Sequence, residues 1–219
     1  MGVFFQIIID AFPALLRGAG MTVLVWVGAF VISVFVGCLW GLLRARQLRL
    51  PVFALICDAI TLVLRGVPFY VQLLIAYFVL PSCTGLAISA YTAATISLGF
   101  CSAAYVSQIV RGGIDAIAPG QWEAAQVLGY TTVQAVWYIL LPQAFRAVLP
   151  ALGGEWDQLL KSTAVVSSIG LLELTGMARN SVSRTMEPLP IFLAIALMYL
   201  VLSGVLNGAL ALLSRRLKV

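Results

Sequence analysis

The stretch Glu123–Pro142, EAAQVLGYTTVQAVWYILLP, is the one polar, turn-punctuated passage with a long ordered pattern in an otherwise apolar chain. Its frame is Glu123-Ala124-Ala125, then Gly129, then Ile139-x-Leu141-Pro142. Pro119-Gly120 interrupts the chain just before it. Residues 121–128 suit a short helix with Gly129 at its C-terminal cap. Thr131-x-x-Gln134 is a capping box that opens a second helix. Val133, Val136, Trp137, Leu140 and Leu141 fall on one face at helical spacing, which predicts a buried back. Pro142 is expected to end that helix. Ala124 and Ala125 carry almost no side chain, so another surface can approach the backbone, and Glu123 sets a single charge beside them. The product is a helix-turn-helix with a smooth face shaped for a groove. The alternative is an ordinary amphipathic hairpin at a membrane interface.

The rest of the chain supplies the membrane. Of its 219 residues 62% are hydrophobic and 10% charged, and the mean hydropathy is +1.07. Soluble domains run near half apolar and a quarter charged, so this is an integral membrane protein. Several runs reach the ~20 apolar residues that a crossing helix needs. The alternating segments of a β-barrel are absent. The net charge of +5 reads as membrane orientation. No basic cluster interleaves with aromatics, so nucleic-acid binding is not indicated. There is no His. Cys38, Cys57, Cys83 and Cys101 are widely spaced, which fits neither a metal site nor a structural disulfide. Asp10 and Pro13 interrupt the first apolar run and no basic residues precede it, so a cleaved signal peptide is not expected.

Read in order, residues 2–16 are expected to form an interfacial helix broken by Pro13. A first span follows from Gly18 to Leu43. It contains Gly37-x-x-x-Gly41, either a site of close helix approach or a chance pair in a glycine-rich chain. Pro51 to Pro81 would be about 45 Å long as one helix, more than the ~30 Å hydrocarbon core. Arg65-Gly66-Val67-Pro68 divides it into an interfacial stretch at 52–64 and a span from about 67 to 80. The span from about Ala90 to Val110 is rich in small and polar residues, as helices facing other helices are. Arg111-Gly112-Gly113 is expected to end it. Residues 143–176 read as a span broken near its middle, and Leu189–Leu213 as a clean final span. The excess of Arg44, Arg46, Arg49, Arg111, Arg146, Arg215, Arg216 and Lys218 on one side predicts a cytoplasmic patterned loop and C-terminus, with the N-terminus outside.

Polar groups inside apolar segments are the candidates for a solute path. Arg65 is the costliest, and a structural partner such as Asp58, seven residues earlier, is the competing reading. Tyr105 and Gln108 lie three apart on the small-residue span, placed either to line a path or to bond between helices. Lys161 is a further candidate, but Asp157 precedes it by four residues, the spacing of a local ion pair. The tryptophans read as packing or interfacial anchors.

The frame of the patterned loop resembles the EAA motif of permease subunits of bacterial ABC importers, where such a loop is the coupling helix against an ATPase subunit. Arg65-Gly66-Val67-Pro68, Ala104-Tyr105-Val106-Ser107-Gln108-Ile109-Val110-Arg111-Gly112-Gly113-Ile114, Leu141-Pro142-Gln143-Ala144-Phe145-Arg146, Leu160-Lys161-Ser162-Thr163 and Glu173-Leu174-Thr175 resemble the polar amino-acid permeases of the histidine/arginine/glutamine group. The resemblance covers nearly the whole chain. It departs at Gln108, where that group usually has Glu, and at Ser162, where it usually has Asp. Each departure removes a negative charge and bears on the charge preference for the solute.

The resemblance implies an all-α integral membrane protein of the type I importer permease fold, with about five transmembrane helices. It implies one permease domain over 1–219 and a cytoplasmic coupling loop at about 114–142. Glu123, Ala124, Ala125, Gly129 and Pro142 would then couple to the ATPase. The implied function is import of a polar amino acid across the bacterial inner membrane by alternating access. The implied partners are two ATP-binding cassette subunits, which hold ATP and Mg, a second permease, identical or related, and an extracytoplasmic solute-binding protein. The chain itself has no G-x-x-x-x-G-K-[ST] loop and so cannot cradle a nucleotide. A membrane-embedded enzyme is disfavoured because there is no His and no motif-like carboxylate pair. A stand-alone transporter is disfavoured because five spans lack paired halves.

Overall fold

The computed structural model describes residues 2–45 and 51–216, and the regular structure among them is helical. Arg46, Arg49 and Lys218, which entered the orientation argument, lie outside the described residues.

Helix α1 runs unbroken over Gly2–Arg44, with Pro13 inside it. The expected division into an interfacial helix and a separate span is therefore corrected. Proline removes one ladder bond, but in lipid the remaining backbone groups are satisfied only by continuing the helix. At 43 residues α1 is roughly 64 Å long. Its buried positions, among them Ala11, Leu15, Gly18, Thr22, Val25, Ala29, Ser33, Gly37 and Gly41, recur every three or four residues and so form one stripe.

From Val25 onward the stripe seats against α5 (Ala90–Asp115), while its start, Ala11 to Gly18, packs on Leu174, Ala178 and Ile191. A β-carbon at Gly37 would stand 2.6 Å from Val106 Cγ1, and one at Gly41 2.7 Å from Val110 Cβ. The Gly37-x-x-x-Gly41 spacing is thus a site of close approach. Helix α5 continues through Arg111-Gly112-Gly113, where the sequence suggested an end. Glycine costs a helix about 1 kcal/mol, but a β-carbon at Gly113 would collide with Val148 Cγ1 of a neighbouring helix. Close packing compensates for the weak helix former.

Helix α2 (Pro51–Gly66) stops before Pro68, and the chain restarts as α3 (Phe69–Leu74). The rod Phe69–Thr84 is bent by 102° from α2. This agrees with the expected break at Arg65–Pro68. The bend leaves carbonyls without helical partners, and Gln72 Nε2 donates to two of them, Leu64 O and Val67 O, at 2.7 Å each.

Two π-helical segments sit in equivalent local sequence. Ile75–Val79 leads into Leu80-Pro81 of α4 (Leu80–Thr84), and Val136–Leu140 leads into Leu141-Pro142 of α8 (Leu141–Ser162). A proline ring clashes with the carbonyl four residues back, and a widened turn relieves the clash. Pro142 therefore does not end its helix, contrary to expectation. The helical run from Thr132 to Ile169 passes through it. Nor is 143–176 broken near its middle: α8 is continuous to Ser162, then tightens to a 3₁₀ segment, Thr163–Ile169, and turns at Gly170 with φ +84°.

Helix α9 (Leu174–Thr185) is capped by the buried Glu173. Its carboxylate accepts from the backbone N–H groups of Thr175 (2.9 Å) and Gly176 (2.8 Å) and from Tyr199 OH (3.0 Å). Helix α10 (Pro188–Arg216) completes the fold. Among the described residues, four helical runs are long and apolar enough to cross a membrane, or up to five if the bent pair is one span. The chain is a multi-pass, all-helical membrane protein.

Candidate functional site

The patterned loop folds largely as its turn chemistry demands. Helix α6 (Pro119–Val127) ends at Gly129, whose φ is +81°. That left-handed conformation favours glycine. Tyr130 N–H then closes on Ala125 O at 3.0 Å. Thr131 opens α7 (Thr132–Ala135) with the complete capping box. Thr131 N–H donates to Gln134 Oε1 at 2.9 Å, and Gln134 N–H donates to Thr131 Oγ1 at 3.3 Å.

The face of this hairpin differs from expectation. Ala124 and Glu123 are exposed, but Ala125 is buried at 1% exposure. Its small size lets the two short helices close on each other. Of the five residues expected to form a buried back, Val136 and Leu140 are buried, while Val133 and Trp137 are each 64% exposed. The widened turn at 136–140 rotates them out of the stripe that a regular helix would give. The exposed surface is therefore apolar and aromatic: Val127, Leu128, Val133, Trp137 and Tyr138.

A second cluster lies where α1, α2 and α5 meet. Its hub is Arg44, only 3% exposed on its side chain. Its Nε donates to Asp58 Oδ1 at 2.7 Å, and Nη1 donates to Ser107 Oγ at 2.9 Å and to Thr61 Oγ1 at 3.1 Å. With its amide turned so that the oxygen faces the guanidiniums, Gln108 accepts from Arg44 Nη2 at 2.9 Å and from Arg65 Nη1 at 3.3 Å. Asp58 pairs with Arg44 and, at 3.5 Å, with Arg111, not with Arg65 as its spacing suggested. The guanidinium of Arg65 lies over the Tyr105 ring, 5.1 Å from its centroid.

Arg65 and Tyr105 also line a cavity of about 330 Å³ with Ser102, Glu155, Gln158 and Ser162. Glu155 Oε1 accepts from Ser102 Oγ at 2.8 Å, and Ser33 Oγ of α1 donates to Ser102 Oγ at 2.9 Å. The structure thus brings Arg65, Tyr105 and Gln108 together. It leaves Lys161 apart: its Nζ meets Asp157 Oδ2 at 2.5 Å, and Ser203 of α10 donates to the other Asp157 oxygen. Lys161 belongs to a local ion pair and lines no part of this cavity. Sequence reasoning did not select Arg44 or Glu155 for the cluster. Arg44 looked like one of several cytoplasmic charges, although a buried arginine needs several partners. Glu155, a carboxylate within a span, was the signal available. Among the described residues no group of His, Cys, Asp and Glu could hold a metal ion.

A model of the family described as binding-protein-dependent transport system inner membrane components matches residues 33–219. The chain belongs to this family. The permease is 36% identical to the arginine transport system permease protein ArtQ of Bacillus subtilis, an alignment covering 100% of this chain and 99% of that one. It is 33% identical to the glutamine transport system permease protein GlnP of Escherichia coli K12, over 95% of each chain. It is 32% identical to the histidine/lysine/arginine/ornithine transport system permease protein HisQ of Salmonella typhimurium, over 94% of this chain and 93% of that one. Among solved structures, an amino acid ABC transporter crystallised with histidines superposes with a TM-score of 0.86 at 35% identity, covering 95% of the permease and 96% of that chain. The MetNI methionine ABC transporter, at 20% identity and a TM-score of 0.73 over 94% and 95% of the two chains, shares the fold.

Proposed function

We propose that this permease carries a polar amino acid of the arginine, histidine or glutamine kind into the cytoplasm by alternating access with a second permease, identical or related. The cavity at Arg65, Ser102, Tyr105 and Glu155 carries the reading. A zwitterion needs both signs of charge within one small space, and this space is lined by a guanidinium and a carboxylate with hydroxyl and amide groups between them. The transport systems named for the relatives, for arginine, glutamine and histidine among others, support the same solute class.

The patterned loop is the docking surface for the ATPase subunits, which hold ATP and Mg. Leu128, Val133 and Trp137 seat in their groove, and Glu123 and Ala124 flank it. Two such subunits and an extracytoplasmic binding protein complete the importer. The site is the bacterial inner membrane, with the N-terminus outside and the C-terminus in the cytoplasm. Arg44, Arg111, Arg146, Arg215 and Arg216 then share the cytoplasmic side.

The test is reconstitution of the permease with its ATPase subunits and binding protein in proteoliposomes, with ATP-dependent accumulation of labelled arginine, histidine and glutamine as the readout. Glu155→Gln is expected to lower uptake roughly tenfold, the scale of one charge-assisted bond, while the ATPase subunits still co-purify. No accumulation of any of the three, or unchanged uptake in both Glu155→Gln and Ser102→Val, would sink the reading.

A further inference from the structure

Helix α9 differs from the spanning helices in being largely polar. Its apolar side, Leu174, Ala178 and Val182, packs against α1 and α10. Arg179, Asn180, Ser183 and Arg184 are exposed. The helix lies between the end of the α8 run and the start of α10, and α10 ends at Arg215-Arg216. With those two arginines in the cytoplasm, as the proposed orientation has them, α9 lies at the outer surface.

Beside α9 is a cavity of about 590 Å³. Ser167, Ser168, Asn180 and Ser183 give it hydroxyl and amide groups, and Arg179 is the one charged residue among those lining it. Among the described residues, Arg179 takes part in no ion pair. Arg184 is five residues on, about 140° round the helix. It lines a smaller cavity, about 170 Å³, which Asp10 also lines, so a carboxylate already balances it. A lone cation outside gains nothing from membrane orientation, which favours basic residues within. The edge of the larger cavity is apolar: Leu172, Met186 and Phe192 are exposed there, Met186 at 80%. Met186 also holds φ +57°, a left-handed conformation that a β-carbon disfavours. Such strain collects at binding surfaces. A fork of guanidinium donors among neutral polar groups, edged by Met and other apolar side chains, is the composition of a protein interface. A lipid headgroup surface is marked instead by Trp and Tyr, and neither lines this cavity.

We propose that this cavity is a docking point for the extracytoplasmic solute-binding protein. A surface carboxylate of that protein bonds to Arg179, and an apolar neighbour seats against Leu172, Met186 and Phe192. The proposal rests on the reading of the chain as an importer subunit served by a binding protein. It makes the docking face of that protein acidic, and it makes Arg179 and not Arg184 the contact that holds it.

The experiment uses the permease assembled with its ATPase subunits in nanodiscs, made of phosphatidylcholine alone or with added phosphatidylglycerol. The probe is the purified binding protein loaded with its solute. The readouts are its Kd for the transporter and the ATPase stimulation that it causes. Arg179→Glu is expected to weaken binding roughly tenfold or more in both lipid mixtures, with the ATPase subunits still co-purifying. Ser183→Trp, which fills the cavity without changing its charge, is expected to weaken binding by a similar factor. Arg184→Glu is expected to change it less than about threefold. Unchanged binding in both Arg179→Glu and Ser183→Trp overturns the proposal. Equal loss in Arg179→Glu and Arg184→Glu shows a diffuse attraction of charge and overturns the cavity assignment. Loss confined to nanodiscs with phosphatidylglycerol assigns Arg179 to lipid headgroups and overturns it too. In these three cases, accumulation of solute by the unaltered transporter keeps the importer reading. An unaltered transporter that neither binds the protein nor accumulates solute removes that reading and the proposal with it.

Discussion

Arg44 illustrates how a charge is kept where water is scarce. Its guanidinium satisfies Asp58, Thr61, Ser107 and Gln108 at once, and only a planar fork reaches partners in that many directions. Breaking a fully buried ion pair by removing one partner costs ~3–5 kcal/mol. Asp58 keeps about a third of its surface, so solvent screening lowers the expected cost of Arg44→Met to ~2 kcal/mol. The measurement is thermal unfolding of the detergent-purified protein. Arg44→Lys is expected to recover less than half of the loss, because an ammonium cannot reach all four partners. Full recovery would show that charge alone matters. Glu173 makes a parallel case at a helix end. Glu173→Ala strands the N–H groups of Thr175 and Gly176 in a dry place and is expected to cost ~2 kcal/mol in the same assay.

At the scale of elements, close approach of α1 and α5 depends on what glycine lacks. Gly37→Val would drive two methyl groups into Val106 and Ala103 O. It is expected to cost ~1–3 kcal/mol or more and to lower the yield of monodisperse protein. Gly20, with no atom near its missing β-carbon, is the control, and Gly20→Ala should leave the yield unchanged. The turn before Pro142 makes a different demand. Pro142→Ala removes the clash with Tyr138 O, so the widened turn at 136–140 can close to a regular helix. Closing it turns Val133 and Trp137 relative to α8 by about 100°, one residue's rotation. Protein yield should hold while ATPase co-purification falls several-fold. Unchanged co-purification would show that the orientation of Trp137 is irrelevant to docking.

At the scale of the whole molecule, orientation has a direct test in a native residue. Cys83 is exposed at the end of α4, in the 81–89 stretch that the proposed orientation puts outside. A membrane-impermeant maleimide added to intact spheroplasts should label Cys83. It should label Leu128→Cys, in a background lacking Cys83, only after permeabilisation. Labelling of Leu128→Cys from outside would invert the protein and separate the loop from any cytoplasmic motor.

The sequence by itself determined the apolar spans, because bilayer thickness sets their length. It also determined the breaks at Pro68 and Gly129 and the capping box at Thr131, because those signals act over a few residues through backbone geometry. It did not determine where helices stop when packing outweighs propensity: Pro13, Gly112-Gly113 and Pro142 all read as breaks and all lie within helices. Nor did it determine partners. Asp58 is seven residues from Arg65 in the chain, yet it is bound to Arg44 and Arg111 from two other helices. Lys161 and Asp157 paired as their spacing predicted, since a helical i, i+4 pair needs no tertiary help. Charge pairing between helices depends on their rotation and bend. Here the 102° corner at Arg65 and the glycine seam of α1 and α5 set both, and only the folded chain combines them.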